Sequence, residues 1–213
     1  MTAAPRTAPS RAARLRLRHS LDVALRGADL LEQKLRILRR RHQLLLQAER
    51  SSAERWHEQL REAETWLLRG LLLGGEQALA AAAAGLGSAA VVVEEASTMG
   101  VRYPAGTRCV IPDRPPTSAA PGNTALVRAE AAYRDAVRAA AEYAAARAAT
   151  RIVGGELLST RQRVRALRRH WIPRLEQSLA RVGLALEQSE HEDAVRRRWA
   201  ARQQARENGT ARE

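Results

Sequence analysis

The sequence contains no phenylalanine, and aromatic residues make up only 3% of its 213 residues. Few large side chains are therefore available to fill a thick globular core. Alanine, leucine, arginine, glutamate and glutamine dominate instead, which is the composition of long helices and coiled coils. Because a coiled coil buries only a narrow apolar seam, it can be stable without such a core. The composition thus favours a protein built from long paired helices.

Cysteine and lysine each occur once, as Cys109 and Lys34. A single cysteine excludes an internal disulfide framework and a cysteine-rich metal site, and it fits a reducing, cytosolic setting. The single lysine lies near no glycine-rich loop, which excludes the Gly-x-x-x-x-Gly-Lys-Ser/Thr phosphate-binding motif. The five histidines have no His or Cys partner at the spacing of metal ligands. We therefore predict no catalytic residues, no cofactor-binding residues and no metal site.

Long hydrophobic runs are also missing. The longest weakly apolar stretch, Ala78 to Val93, is too short and too rich in alanine and glycine to span a bilayer. The arginine-rich N-terminal residues contain no apolar core of a secretory signal. We therefore expect a protein that does not insert into a membrane.

The net charge is strongly positive, at +13 with a pI near 11.4. The excess of positive charge lies on the two stretches that flank residues 71–123, and that middle stretch has none. Such a charge favours an acidic partner, such as nucleic acid, anionic lipid or an acidic protein, but it also suits a solvated, arginine-rich helical surface. Acidic residues are mixed along both stretches and base-stacking aromatics are few, so we expect no direct binding of nucleic acid.

A sustained heptad pattern marks the first long helix. Apolar or small residues and one histidine recur in alternating steps of four and three, at Leu17, Leu21, Ala24, Ala28, Leu31, Leu35, Leu38, His42 and Leu45. The pattern continues less regularly through Ser52, Trp56, Ala63 and Trp66 to Gly70. We predict a frayed N-terminus at residues 1–11 and a helix over 12–73, in which His42 is a polar seam residue that sets the register.

Residues 74–122 are predicted to form a loop-rich middle cap. Gly74 and Gly75 interrupt helix formation. The valine-rich run from Ala89 to Glu95 and the segment 99–104 predict two short strands, which can pair as one hairpin. Residues that exclude a helix as far as Gly122 then follow, namely Pro112, Asp113, Pro115, Pro116, Ser118 and Pro121.

Residues 123–207 are predicted to form the second long helix, capped by Asn123 or Thr124 and followed by a tail at 208–213. Its seam begins mostly with small residues, at Leu126, Tyr133, Val137, Ala140 and Ala144. A stronger stripe follows at Val164, Leu167, Trp171, Leu175, Leu179, Val182 and Leu186. From Trp171 to Leu175 to Leu179 the steps are four plus four, which shifts the heptad register locally. Pro173 lies within this shift and is expected to kink the helix.

The break between the two helical patterns lies in the middle of the chain. The helices are therefore expected to fold back on each other, with their outer ends together. The predicted fold is all-α: a long antiparallel two-helix coiled coil with a small, loop-rich middle region that can hold one β-hairpin.

Three segments carry specific motifs. Residues 15–38 place Arg26-Gly27 before a Leu-Leu-x-x-Lys pattern, and residues 99–104 read Met-Gly-Val-Arg-Tyr-Pro. Residues 161–176 hold a proline inside a coiled-coil helix. In order and spacing these segments resemble the N-terminal helix, the central hairpin and the C-terminal signature of the D subunit of V-type and A-type rotary ATPases. The positions that match that signature are Arg163, Val164, Ala166, Leu167, Ile172, Pro173 and Leu175.

The resemblance implies a non-catalytic rotor shaft, the central stalk of an ATPase or ATP synthase that translocates protons or sodium ions. It implies that the paired terminal helices enter a hexamer of catalytic and nucleotide-binding subunits. It also implies that the middle region binds the small F subunit of the stalk and sits on the membrane-proximal funnel subunit, which would place the protein in the cytoplasm, peripheral to the membrane. Leu35-Arg36 and Arg165 depart from the family's pattern, where a basic-acidic pair and an asparagine are usual.

Two other functions stay open from the residues alone. One is a basic coiled-coil protein that binds nucleic acid or serves as a scaffold. The other is a stalk or chaperone of the flagellar export machinery, which resembles the rotary shafts in fold. The proline signature and the long middle region favour the rotary stalk protein over the export protein.

Overall fold

The computed structural model describes residues 10–115 and 120–210, and this part of the chain is 81% helical. The two long helices and the small β-hairpin between them confirm the predicted all-α antiparallel coiled coil. The elements in chain order are α1 (Arg11–Ala83), β1 (Ala90–Thr98), β2 (Val101–Val110), α2 (Thr124–Ala166), a π-helix (Leu167–Trp171) and α3 (Ile172–Thr210). Most of the predicted frayed N-terminus, the end of the predicted tail, Pro116 and Ser118 lie outside the described residues.

The first helix is longer than the sequence predicted. It begins at Arg11, where the Ser10 hydroxyl accepts a hydrogen bond from the Ala13 amide at 3.1 Å. Gly75, with φ 68° and ψ −176°, kinks the helix near the predicted end at residue 73. The helix then resumes as far as Ala83, because the residues that follow are rich in alanine, which has the highest helix propensity.

The chain divides into two compact units. Met1–Gln33 and Arg161–Glu213 form one, here called the terminal unit, and Lys34–Thr160 form the other, here called the central unit. The hairpin and the whole sequence between α1 and α2 belong to the central unit.

In the terminal unit, α1 packs against the π-helix and α3 through a narrow apolar seam. Its buried residues are Ala24, Ala28, Ile172 and Leu175, with Leu17, Leu21, Leu25 and Leu167 packed around them. The Arg11 guanidinium lies 2.8 Å from the Glu190 carboxylate, whereas Glu32, further along α1, lies 3.0 Å from Arg168. Residue numbers thus rise along one helix as they fall along the other, so the pairing is antiparallel.

In the central unit, α1 pairs with α2 in the same sense. Lys34 bonds to Glu156 at 2.9 Å, and Arg55 bonds to Glu142 at 2.6 Å. The core of this unit joins both helices to the hairpin, and its buried members are Leu38, Leu45, Tyr103, Ala149 and Val153.

The predicted seam of α1 is confirmed. Each of its positions from Leu17 to Leu45, and each position of its continuation to Gly70, is buried or half-buried. His42 is half-buried, and a Cβ atom added to Gly154 would lie 2.9 Å from the His42 Nε2 atom. Gly154 therefore provides the space that a polar seam residue of this size requires.

The predicted seam of α2 is only partly right. Leu126 is buried, but Val137 and Ala144 are exposed. The buried residues of this helix are Ala125, Leu126, Ala129, Ala136, Ala139, Ala145, Ala149, Thr150, Val153 and Thr160. Because alanines occupy every face of α2, their spacing gives little contrast between a buried face and an exposed one.

The assignment of Trp171 to the seam is wrong. Trp171 is 52% exposed, whereas its neighbour Ile172 is 5% exposed and belongs to the core. The π-helix accounts for this difference, because the Ile172 amide bonds to the Leu167 carbonyl and the wider turn moves the buried face by one residue. The predicted register shift is therefore present as a π-turn, which ends two residues before Pro173, a residue with no amide hydrogen to donate.

Replacing Leu38 with alanine should lower the free energy of unfolding by about 2–5 kcal/mol, because its fully buried side chain would leave a cavity. Leu44, 50% exposed on the same helix, is the matched control, and its replacement should change stability by less than about 0.5 kcal/mol. Chemical denaturation followed by circular dichroism measures both. Equal losses for the two variants would contradict the position of the seam.

Candidate partner-binding surfaces

Within residues 10–115 and 120–210, no group of three or more His, Cys, Asp and Glu side chains is arranged to hold a metal ion. Over the same ranges, no helix is long and apolar enough to cross a membrane. Glu94 and Glu95, adjacent on β1, are both exposed, and a β-bulge separates them. The features with functional potential are the surfaces at which other proteins could bind.

The hairpin is built around a tight turn. Met99 and Gly100 connect the paired residues Thr98 and Val101, and both turn residues have positive φ, at 52° and 80°. Two-residue turns of this kind match the twist of antiparallel strands, and glycine adopts the conformation without strain. The Met-Gly-Val-basic-x-Pro segment thus forms the turn and the start of β2.

Tyr103 fixes the hairpin to the helices. Its side chain is 3% exposed and packs in the core with Leu38 and Leu45. Its hydroxyl accepts a hydrogen bond from the Arg41 Nε atom at 2.8 Å and lies 2.9 Å from the Thr98 hydroxyl. The Arg41 guanidinium also lies 5.3 Å from the centre of the ring. This anchor joins both strands of the hairpin to α1.

The hairpin presents several apolar side chains to solvent. Each is at least 45% exposed: Val91, Val92, Val93, Met99 and Val110. Exposed apolar clusters of this kind mark surfaces that bind other proteins. Because Tyr103 anchors the hairpin, these side chains lie on a fixed support.

An apolar groove of about 460 Å³ lies beside the connection from β2 to α2. Its lining includes Leu67, Leu79, Leu86, Ile111, Leu126, Tyr133 and Val137. Glu130 also lines the groove, and its carboxylate accepts hydrogen bonds from Arg114 at 2.8 Å and from Arg134 at 3.2 Å. Arg114 also bonds to the Ala82 carbonyl at 2.6 Å. These bonds hold the connection against both α1 and α2.

Tyr133 at this groove stays a neutral hydroxyl donor around neutral pH. Burial raises the pKa of its phenol, and the negative charge of Glu64 raises that pKa further. A partner that enters the groove would therefore meet an uncharged hydroxyl among apolar side chains.

The middle stretch of α2 packs on α1 mainly through alanine. Trp56 stacks on Tyr143 with ring centres 5.3 Å apart. The buried alanines there are Ala136, Ala139, Ala145 and Ala149, which bury little apolar area each. Val137 and Ile152, each 40% exposed, flank this seam and are available to a partner.

The terminal unit presents a strongly basic surface. Arg168 bonds to Glu32 and Asp29 across the helix pair. These bonds raise the pKa of its guanidinium, and the hydrogen bond to Glu32 has the largest effect. Other exposed arginines lie near it in the sequence, at 161, 163, 165, 169 and 174. The predicted arginine-rich end of α3 is also exposed at Arg196, Arg197, Arg198 and Arg202, whereas the Arg206 side chain lies outside the description.

Sequence reasoning missed Tyr103, Glu130 and Arg134 as structural anchors. Apart from the pair that Glu130 and Arg134 form with each other, the contacts that anchor them join residues far apart in the chain, so periodicity gives no sign of them. The one available signal was the position of Tyr103 inside the Met-Gly-Val-basic-x-Pro segment.

No curated protein sequence matches the chain. One protein-family profile does, that of the family described as the D subunit of ATP synthase, and the match covers residues 13–202. The matched range includes nearly all of α1, the hairpin, α2, the π-helix and most of α3.

Replacing Tyr103 with phenylalanine should loosen the hairpin without unfolding the helices, because it removes the hydroxyl that joins Arg41 to Thr98. A buried hydrogen-bonding group left without its partner costs about 1–3 kcal/mol. Hydrogen exchange should therefore speed up in β1 and β2 by roughly 5- to 150-fold. Tyr143→Phe, which keeps the stack on Trp56, is the control, and faster hairpin exchange in that variant would contradict the assignment.

Proposed function

Because the chain belongs to the family of ATP synthase D subunits and is a stalk component of a rotary ATPase, we propose that it is the central rotor shaft of a V-type or A-type complex. In this proposal it transmits torque between the catalytic hexamer and the ion-translocating ring in the membrane. The observation that carries the proposal is the family match over residues 13–202, on a chain whose long helices pair as an antiparallel coiled coil.

The contacts between the helices suit the transmission of torque. Within each unit, ion pairs reinforce the apolar seam, as between Arg168 and Glu32 in the terminal unit and between Lys34 and Glu156 in the central unit. Such cross-links resist sliding and twisting of one helix against the other. The two helices of the terminal unit also differ, because only the second contains a π-helix and a proline. A rotor requires such asymmetry, so that the catalytic sites around it differ at any instant.

As a stalk component, the chain associates with other subunits of the ATPase complex. We assign the terminal unit to the hexamer of catalytic and nucleotide-binding subunits, since its basic surface is suited to a surrounding protein sleeve of complementary charge. We assign the central unit to the small F subunit of the stalk and to the membrane-proximal funnel subunit. ATP hydrolysis then belongs to the hexamer, and this chain acts in the cytoplasm at the periphery of the membrane.

The family match weighs against the two other functions. Nucleic-acid binding was suggested only by the positive charge, and the acidic residues along α1 and α3 engage that charge in ion pairs such as Arg11 with Glu190. The flagellar export stalk shares only the helical fold. Neither alternative accounts for a match that extends through the hairpin.

Co-expression with the small F subunit should give a stable complex with a raised melting temperature, because the alanine-lined stretch of the central unit leaves apolar area for a partner to bury. Val137→Ser/Ile152→Ser should weaken that complex, since both side chains flank the stretch. Arg147→Ser/Arg151→Ser, which changes exposed residues of the same helix, is the control. Absence of any complex with the unmodified chain would refute this assignment.

The arginine-rich end and the seam of α3 should contribute unequally to torque. Deleting residues 196–213 should leave assembly intact and lower torque modestly, since a shaft guided along its length tolerates a shorter tip. Replacing Leu179, Val182 and Leu186 together with alanine should do more harm, because each half-buried side chain contributes about 1 kcal/mol to the seam. Single-molecule rotation of the reconstituted complex measures both. Full torque from the triple variant would show that this stripe does not hold the shaft together.

A further inference from the structure

Two arginines of the central unit converge on one tryptophan. The Arg69 guanidinium lies 4.7 Å from the centre of the Trp66 ring, and that of Arg128, on α2, lies 5.8 Å from it. Both arginine side chains are exposed, and in the described part of the chain neither forms an ion pair with a carboxylate. A guanidinium held over a ring keeps its N–H donors directed outward. The pair is thus placed to bind an anionic group from outside the chain.

Leu72 and Leu73 lie beside these arginines and are unusually exposed. Their exposed fractions, 86% and 72%, are the highest among the large hydrophobic residues of the described chain. Together with Trp66, Arg69 and Arg128 they line a shallow groove of about 570 Å³. Adjacent apolar and cationic groups of this kind are typical of a surface that a partner protein covers.

The helices under this groove are held at a fixed spacing. A Cβ atom added to Gly70 would lie 2.5 Å from the Leu126 side chain, so only glycine permits this approach. The Asn123 amide donates a hydrogen bond to the Gly70 carbonyl at 3.1 Å, and its oxygen accepts one from the Leu126 amide at 2.8 Å. Asn123, one of the two predicted cap residues, thus caps α2 and also ties it to α1. The backbone positions of Arg69 and Arg128 are therefore set before any partner binds.

We propose that this surface, the Trp66 platform (Trp66, Arg69, Leu72, Leu73 and Arg128), docks an acidic segment of a protein partner. Carboxylates of the segment bond to the two arginines, and an apolar side chain covers the two leucines. A nucleic-acid backbone would satisfy the arginines but would leave the leucines in water, so the pairing of charge with apolar surface selects a protein. The inference rests on the proposed function, which assigns the central unit to the small F subunit and to the membrane-proximal funnel subunit. The platform lies where α2 begins, at the end of the helix pair that is farthest along the chain from the terminal unit. We therefore identify the funnel subunit as the partner.

The test is the affinity of the full-length chain for the purified funnel subunit of the same complex, measured by biolayer interferometry. Arg69→Ala/Arg128→Ala should weaken binding roughly 100-fold, because loss of each charge-assisted contact costs about tenfold. Arg50→Ala/Arg147→Ala removes the same charge from exposed positions on the same two helices and should change affinity less than about twofold. Added salt should weaken binding of the unmodified chain more than that of the Arg69→Ala/Arg128→Ala variant.

Two further variants separate docking from folding. Leu72→Ser/Leu73→Ser alters side chains that contact mainly solvent, so it should keep the melting temperature and still weaken binding by tenfold or more. Arg69→Lys/Arg128→Lys keeps both charges but loses the planar donors, so its affinity should lie between those of the unmodified chain and the alanine variant.

Reconstitution with the hexamer distinguishes failure of this inference from failure of the proposed function. If the platform variants and the Arg50/Arg147 control bind the funnel subunit equally well while all of them assemble with the hexamer, the platform is refuted and the rotor function stands. If the platform variants lose the hexamer instead of the funnel subunit, the partner is wrong. If the unmodified chain joins neither, the rotor function and the platform fall together.

Discussion

The architecture of the central unit depends on the close approach of α1 to α2 through small side chains. At Gly70 an added methyl group would meet Leu126, and at Gly154 it would meet His42. Between these positions the facing residues of α2 are mostly alanine. Because so thin a seam buries little apolar area per residue, ion pairs such as Arg55 with Glu142 and the Trp56–Tyr143 stack supplement it. Because the seam is narrow, the flanks of the helix pair stay open to other subunits.

The sequence predicts those parts of the fold in which apolar residues occupy one face of a helix and polar residues occupy the others. Leucines recur at steps of three and four along α1, and its seam could be read residue by residue. The seam of α2 could not, because alanine lies on every face and only packing selects Ala136 and Ala149 over Ala144. Ile172 replaces Trp171 in the core because the π-helix moves the buried face by one residue, and residue types alone do not position such a turn.

The candidate surfaces were less predictable than the fold, because they depend on contacts between distant parts of the chain. Tyr103 becomes an anchor only once the hairpin folds back on α1, and Arg128 meets Trp66 only once α2 is aligned with α1. The helix cap at Asn123 could be predicted from the sequence, because Asn123 has the residue type and the position of a cap. Its second role, a hydrogen bond to the Gly70 carbonyl, required the structure. The anchored hairpin, the alanine-lined stretch and the Trp66 platform all lie in the central unit, which suits a region that several partners share.

The central claim, that this chain is the shaft of a rotary ATPase, is tested most directly by imaging the complex that contains it. The complex would be purified from source cells through an affinity tag on this chain and imaged by electron cryo-microscopy. If the chain is the shaft, the map will show the helix pair of the terminal unit inside a hexamer of catalytic and nucleotide-binding subunits. A preparation without those subunits, or a map that places this chain outside the hexamer, would contradict it.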